Sequence, residues 1–341
     1  TQMLFDGFYA KSEVNRQNAR VESAAHRVRE TSEFIGLEIA ESYLEVLRQR
    51  ELLQIAQQNA AEHESMAAQI QNAETAGRTT LGDTAQSQAR LAAARAEVSN
   101  VMQALRNAES RYQTAVGTKA DILVMPANPA ANVGTNVDEA VEHALADGPT
   151  LKIYSADIAV AQEENTQGGR SFYPQVDLQL NAQTGHDNAG IDGSDHNYSA
   201  QAIANWNLYR GGIDTALRRE LIYRTAQAKE TRAQQGRVVE NDVRQTWAAM
   251  VAAGERAQTF AAQAEANTRV VQAYKDQFDL DRRTLLDVLD SQNELFVARS
   301  NAINAQYLQM LAAYRLLALQ GKLLPSMGVE APREAAIASA K

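Results

Sequence analysis

Asp287 and Asp290 stand three residues apart in the stretch DRRTLLDVLDSQ, residues 281–292, and Arg283 lies one turn before the first of them. In a helix this spacing sets both carboxylates on one face. A row of carboxylates attracts cations and repels itself, and copies brought together around an axis would form a charged constriction. Arg283 is placed to neutralise part of that charge through charge-assisted hydrogen bonds. This chemistry is electrostatic; no bond is made or broken. A plain alternative for Asp287 is a first-turn charge favoured by the helix dipole, and for Arg283 a partner within its own helix. The sequence has no nucleophile elbow, Gly-rich phosphate loop or HExxH, so it does not read as an enzyme. It has no Cys, which removes disulfides and thiolate metal sites. His186, Asp187, Asp192, Asp195 and His196 crowd one polar stretch, which reads as a solvated loop rather than a metal site. No cofactor is expected.

The acidic stretch has an echo at residues 77–88, GRTTLGDTAQSQ, at an offset of 204 residues. Arg78, Thr80, Leu81, Asp83, Ser87 and Gln88 recur as Arg282, Thr284, Leu285, Asp287, Ser291 and Gln292. Leu4, Gly7, Arg95 and Gly117 recur as Leu208, Gly211, Arg299 and Gly321, and Tyr43 faces Trp247. A fixed offset held without insertion over so long a span marks an internal duplication. Each copy is an arm of two helices joined at one of these turns.

Composition bounds the partners. The formal net charge of -9 and the lack of Lys/Arg-rich runs argue against nucleic acid. No run of 18 apolar residues offers a transmembrane helix. The apolar run Met3-Leu4-Phe5 opens abruptly. With the repeat, it predicts that a strand and a helix precede Thr1, so a missing signal peptide says nothing of location.

The elements that position the acids follow in order. Residues 1–6 read as the remnant of a strand. Residues 10–76 have no Pro and are rich in Ala, Glu, Gln, Arg and Leu, which predicts a helix of about 100 Å. Its stripe, Ile35, Ile39, Tyr43, Val46, Leu47 and Leu53, needs neighbouring helices to bury it. After the turn, Asp83 or Thr84 can cap a return helix that stops at Gly117. A connector with Pro126, Pro129 and Gly134 occupies residues 121–137, and a third helix, to about residue 166, is interrupted near Gly148-Pro149. The second copy repeats the plan with helices over residues 213–280 and 287–320, and a tail over residues 323–341 reads as loose from Pro325 on.

Between the copies the period changes from 3.6 to 2. Val176, Leu178, Leu180 and Ala182 alternate with polar residues in one strand, predicted over residues 173–185. Ala200, Ala202, Ala204, Trp206 and Leu208 share a face of a second, predicted over residues 198–209, with Ile203 breaking the polar face. Aromatic residues Phe172, Tyr173, Tyr198, Trp206 and Tyr209 gather near the predicted ends. Length, alternation and girdle fit an outer-membrane barrel strand; a soluble hairpin with one polar face fits the alternation equally.

A duplicated pair of long helices hanging from a two-stranded hairpin, with residues 283–290, RTLLDVLD, at the second turn, resembles the TolC family of outer-membrane efflux and type I secretion channels. The resemblance covers essentially the whole chain. Residues 277–280 and 293–296, QFDL and NELF, are similar to members serving type I secretion. It implies a mainly α fold with a small β part, in which long antiparallel helices form an α-barrel and strands join a transmembrane β-barrel. The domains would be residues 1–6 (strand remnant), 7–170 (first repeat), 171–210 (transmembrane hairpin), 211–322 (second repeat) and 323–341 (tail). The protein would be a homotrimer seated in outer-membrane lipid with its helices in the periplasm. It would work with a periplasmic adaptor and an inner-membrane ABC or RND transporter.

The resemblance also implies residue roles. Asp287, Asp290 and Asp83 would form an acidic ring at a closed periplasmic entrance, with Arg283 and Phe278 in gate contacts. Phe278 stands where some members have Tyr, and Asp281 where the family usually has Gly. Gly77, Arg78, Thr80, Leu81, Arg282, Thr284 and Leu285 would form the surface that docks the adaptor. The competing reading is a soluble coiled-coil scaffold or periplasmic adaptor whose hairpin is only a cap.

Overall fold

The computed structural model describes residues 1–186, 192–280 and 282–336. It contains β1 (Gln2–Phe5), α1 (Tyr9–Thr75), α2 (Leu81–Val116), α3 (Val137–Asp147), α4 (Pro149–Gly168), β2 (Gln175–His186), β3 (Ser194–Asn205), α5 (Ile213–Phe278), α6 (Leu285–Leu319) and the short α7 (Leu323–Ser326). Pro149 at the start of α4 makes the expected break, because Pro fits the first helical position and cannot continue a preceding helix. Among the described residues no helix is long and apolar enough to cross a membrane.

Contacts divide the chain into two units, one of residues 1–31, 145–239 and 331–341, the other of residues 32–144 and 240–330. Neither follows the repeat: each draws residues from both copies.

The first unit holds the sheet, of order β1-β2-β3 and antiparallel throughout. Val176, Leu178, Leu180 and Ala182 lie directly opposite Ala204, Ala202, Ala200 and Tyr198. Directly paired residues share a face, so one side of the hairpin is apolar from Val176 to Ala182, with Thr184, His186, Ser194 and His196 following on that side, and the other side is polar there save for Ile203. β3 starts four residues earlier than the alternation predicts and ends at Asn205. Tyr198 therefore sits inside the strand, and Trp206, Leu208 and Tyr209 lie beyond it. Alternation persists through those residues, but the ladder with β2 stops at Gln175 opposite Asn205. Gly7 and Phe8 both take left-handed φ values, 67° and 68°, as Gly211 and Gly212 do at 62° and 86°. A Cβ on Gly7 would lie 2.9 Å from the Arg170 carbonyl oxygen. Phe8 accepts the same conformation in spite of its Cβ, and its ring lies edge-on to Phe5 and Tyr173, at centroid distances of 5.3 and 5.5 Å. Below the sheet, α4 bonds to α1 through Ser23 to Asp157 (2.7 Å) and Arg27 to Asp157 (3.0 Å), and to α5 through Arg232 to the Ser155 hydroxyl (2.8 Å).

The second unit holds the helix tips and the connector. Tyr43 ties the connector to α1, donating to the Val124 carbonyl at 2.7 Å and accepting from the Val124 amide at 2.8 Å. Val46, Ala108 and Tyr112 form an apolar cluster beside it. Leu323 and Leu324 are buried, and their amides donate to the buried Glu33 carboxylate at 3.0 and 3.3 Å. A carboxylate at a helix start satisfies amides that have no partner within the helix. Gln320 adds a bond from its side-chain nitrogen to the Val133 carbonyl, 2.9 Å.

Candidate functional site

The two turns at the arm tips lie in the second unit and are built alike. Each incoming helix closes with an amide reaching back five residues, Arg78 to the Ala73 carbonyl (2.8 Å) and Arg282 to the Gln277 carbonyl (2.9 Å). This is the closure that favours a left-handed residue just after a helix, and Gly77 supplies it at φ 70°. Asp281, its equivalent, lies outside the described residues, as does Asp187 of the hairpin loop.

Each outgoing helix opens with a capping box. Thr80 caps α2 and Asp83 bonds back to it; Thr284 caps α6 and Asp287 bonds back. The Thr284 hydroxyl donates to the Asp287 carboxylate at 2.7 Å, and the Asp287 amide reaches the Thr284 oxygen at 3.3 Å. The box starts the helices at Leu81 and Leu285, three residues before the start that an Asp83 cap predicts and two before the start expected at residue 287. Hydrogen bonds from Thr80 and Thr79 hold the Asp83 pKa below the ordinary carboxylate value, and those from Thr284, with a smaller contribution from Arg283, do the same for Asp287. Both acids are thus ionised well into the acid range.

Asp290 takes no part in this box. Its carboxylate accepts from Arg90 of α2 at 2.8 Å, an ion pair that joins the two arms. A second joins them through Lys275 and Glu62. Arg283 stays within its own arm: its guanidinium lies 3.9 Å from the Tyr274 ring centroid, donates to Gln277 at 3.2 Å and stands 3.8 Å from Asp287. Arg90, Lys275 and Glu62 carry no sequence signal for their contacts, because the packing of one arm on the other decides them, whereas the way the second turn folds sets Arg283 against Tyr274 and Gln277.

The repeat hides one difference. Leu81 is 74% exposed, whereas its equivalent Leu285 is 5% exposed. Leu285, Val288 and Leu289 form a core with Met66 and Ile70 of α1, and Tyr274 and Phe278 pack against it. Leu285 is therefore corrected from docking surface to core. Phe278 is half-buried against that core, and Arg78, Thr80, Arg282 and Thr284 are exposed.

Magnitudes decide which contacts hold the arms together here. Pairs as exposed as Arg90–Asp290 contribute about 0–1 kcal/mol each. Each buried Leu, Ile or Met contributes about 1.5–3 kcal/mol, so the apolar core dominates and the ion pairs fix register.

Comparison with known proteins accords with this geometry. The outer membrane efflux protein family matches residues 140–322. The outer membrane efflux protein BepC of Brucella suis biovar 1 (strain 1330) is 26% identical over 335 residues, covering 94% of this chain and 71% of the relative. Among solved structures, the outer-membrane channel OprN matches with a TM-score of 0.80 at 17% identity, over 94% of this chain and 72% of that one. VceC of Vibrio cholerae matches with a TM-score of 0.75 at 16% identity, over 96% and 78%. The open state of the MtrE channel of Neisseria gonorrhoeae matches with 0.76 at 16%, over 94% and 73%. The fold is that of the TolC-like channels. Chemistry that is electrostatic and not bond-making, an apolar-faced hairpin and the duplicated arms agree with these matches: the chain belongs to the outer membrane efflux protein family, as an outer-membrane exit duct for efflux or secretion with a periplasmic helical part.

Proposed function

We propose that the duct is a homotrimer whose periplasmic end is closed by the arm tips and opened by partner proteins. Three copies would bring Asp287, Asp290 and Asp83 together as an acidic ring, with Arg283 and Phe278 holding the closed arrangement. The observation that carries this reading is the matched pair of capping boxes: both arms present an ionised Asp at the same turn, and α6 adds Asp290. Arg90 and Arg283 neutralise part of that charge, so the ring is weaker than nine bare carboxylates would be. The apolar face of β2 and β3, with Leu180 70% exposed, would meet lipid. Opening requires a partner that binds the open state better than the closed one. That partner is a periplasmic adaptor carrying the action of an inner-membrane ABC or RND transporter. Gly77, Arg78, Thr80, Leu81, Arg282 and Thr284 form its docking surface, with the exposed Leu81 as the apolar anchor. A coiled-coil scaffold would need no lipid-facing hairpin, and the family match disfavours it.

The chain has no native Cys, so a single introduced thiol reports one position. Leu81→Cys carrying a short photo-crosslinker should capture the adaptor in cells, and Leu308→Cys on the exposed face of α6 should not. Capture from both positions, or from neither, would remove the docking surface.

A further inference from the structure

A cavity of about 210 Å³ lies between α1, α5 and α6 of the second unit. Gln58, Asn59, Glu62, Lys275, Gln292 and Arg299 line its polar side, and Val271 and Phe296 are among its apolar lining. Gln292 is 4% exposed, yet neither its side-chain nitrogen nor its oxygen has a hydrogen-bond partner. A buried amide with no partner is unfavourable, so it asks for an explanation. Arg299 is almost as poorly served: its contact is the Thr268 hydroxyl at 3.5 Å.

The first arm shows what is missing. There Gln88, equivalent to Gln292, donates to Gln71 at 3.2 Å. Arg95, equivalent to Arg299, pairs with Glu64 at 2.9 Å. The second arm carries Lys275 in place of Gln71 and Thr268 in place of Glu64. These two exchanges remove one negative charge and add one positive. Lys275 turns to Glu62 of the other arm. The surroundings of Gln292 and Arg299 are thus left with an unpartnered amide and a guanidinium without a carboxylate, beside an apolar wall.

We propose that this cavity binds a small monocarboxylate with a short apolar tail. The carboxylate would accept from Arg299 and from the Gln292 amide nitrogen, and the tail would lie against Val271 and Phe296. The cavity suits a small ligand rather than a drug-sized one. The proposal is independent of the ring and of adaptor docking.

Pentanoate is a suitable probe. Its carboxyl carbon, ¹³C-labelled, can be followed by NMR during titration of the full chain in nanodiscs, with pentanol and pentylammonium as controls for partition into lipid. One saturable site per chain is expected for pentanoate and none for either control. Arg299→Gln should weaken it about tenfold or more, the effect of losing a charge-assisted bond. Gln292→Leu should weaken it less, and Arg95→Gln in the first arm should leave it unchanged. Should Arg299→Gln not fold, as judged by its thermal melt, Arg299→Lys must fold and bind more weakly than the parent protein. No saturable binding, equal binding of pentanol, or equal losses in the Arg95 and Arg299 variants would overturn the site.

Discussion

Thr284 and Asp287 cap each other, and Thr80 and Asp83 do so in the same way 204 residues earlier. The acids proposed to form the ring are therefore also the residues that start the helices carrying them. A substitution that removes charge at Asp287 also touches a helix end, and tests of the ring must separate the two effects.

The caps give the first prediction. Thr284→Ala should lower stability by about 1 kcal/mol, read as a lower denaturation midpoint at unchanged slope. Asp287→Asn should cost less, because an amide oxygen still accepts from the Thr284 hydroxyl. If the Asn variant proves the more damaging of the two, charge rather than capping dominates the turn.

Equivalent leucines should behave unequally. Leu289→Ala or Leu285→Ala should each cost about 2–5 kcal/mol, the range for deleting a buried leucine. Leu81→Ala should change stability by no more than about 0.5 kcal/mol, as exposed sites do, and should instead weaken adaptor capture. Similar losses at Leu81 and Leu285 would contradict the asymmetry between the arms.

Acid should act through His63 before it acts through the carboxylates. His63 is buried and its Nδ1 has no partner. Burial holds its pKa below the ordinary value of 6.5; Arg90 and Lys275 add to this and Glu62 opposes it. The unfolded chain takes up that proton near pH 6.5, while the folded chain resists it, so stability falls as pH drops below about 6.5. Above that pH the residue contributes no slope. Asp83 and Asp287 have lowered pKa values, so their contribution is lost only at more acid pH. Between pH 7.5 and 5.5 the thermal midpoint of the parent protein should therefore fall, and that of His63→Gln should fall less. His26 is shifted the same way by burial and leaves a residual slope in the single variant. Identical slopes would show that His63 takes its proton freely.

Tyr43 tests the connector. Its hydroxyl both donates to and accepts from Val124, so Tyr43→Phe leaves two backbone groups without that partner. Val124 is exposed and its freed groups are hydrated, so a loss of about 0.5–1.5 kcal/mol is expected, with faster amide exchange at Val124 as the local signature.

The sequence carries the arms, the turns and the hairpin face in local signals. The offset repeat, the Gly77 turn and the alternation of β2 need only neighbours in the chain to be read. The Thr-x-x-Asp boxes were also legible, and treating Asp83 as the cap missed Thr80 three residues back. What local signals lack is the packing of one arm on the other. Leu81 and Leu285 are the same residue in the same motif with opposite burial. Arg90 meets Asp290, and Lys275 meets Glu62, only because α1, α2, α5 and α6 come together. The end of β3 was misplaced for the same reason: alternation continues past Asn205, but strand pairing does not.

The acidic ring is the central claim, and single-channel conductance in planar bilayers tests it most directly. The parent protein should give discrete, cation-selective currents that divalent cations block from the periplasmic side. Asp287→Asn/Asp290→Asn, which keeps an acceptor at the cap, should conduct with that block lost or weakened at least tenfold. Equal block in both proteins would contradict the ring and place the constriction elsewhere in the duct.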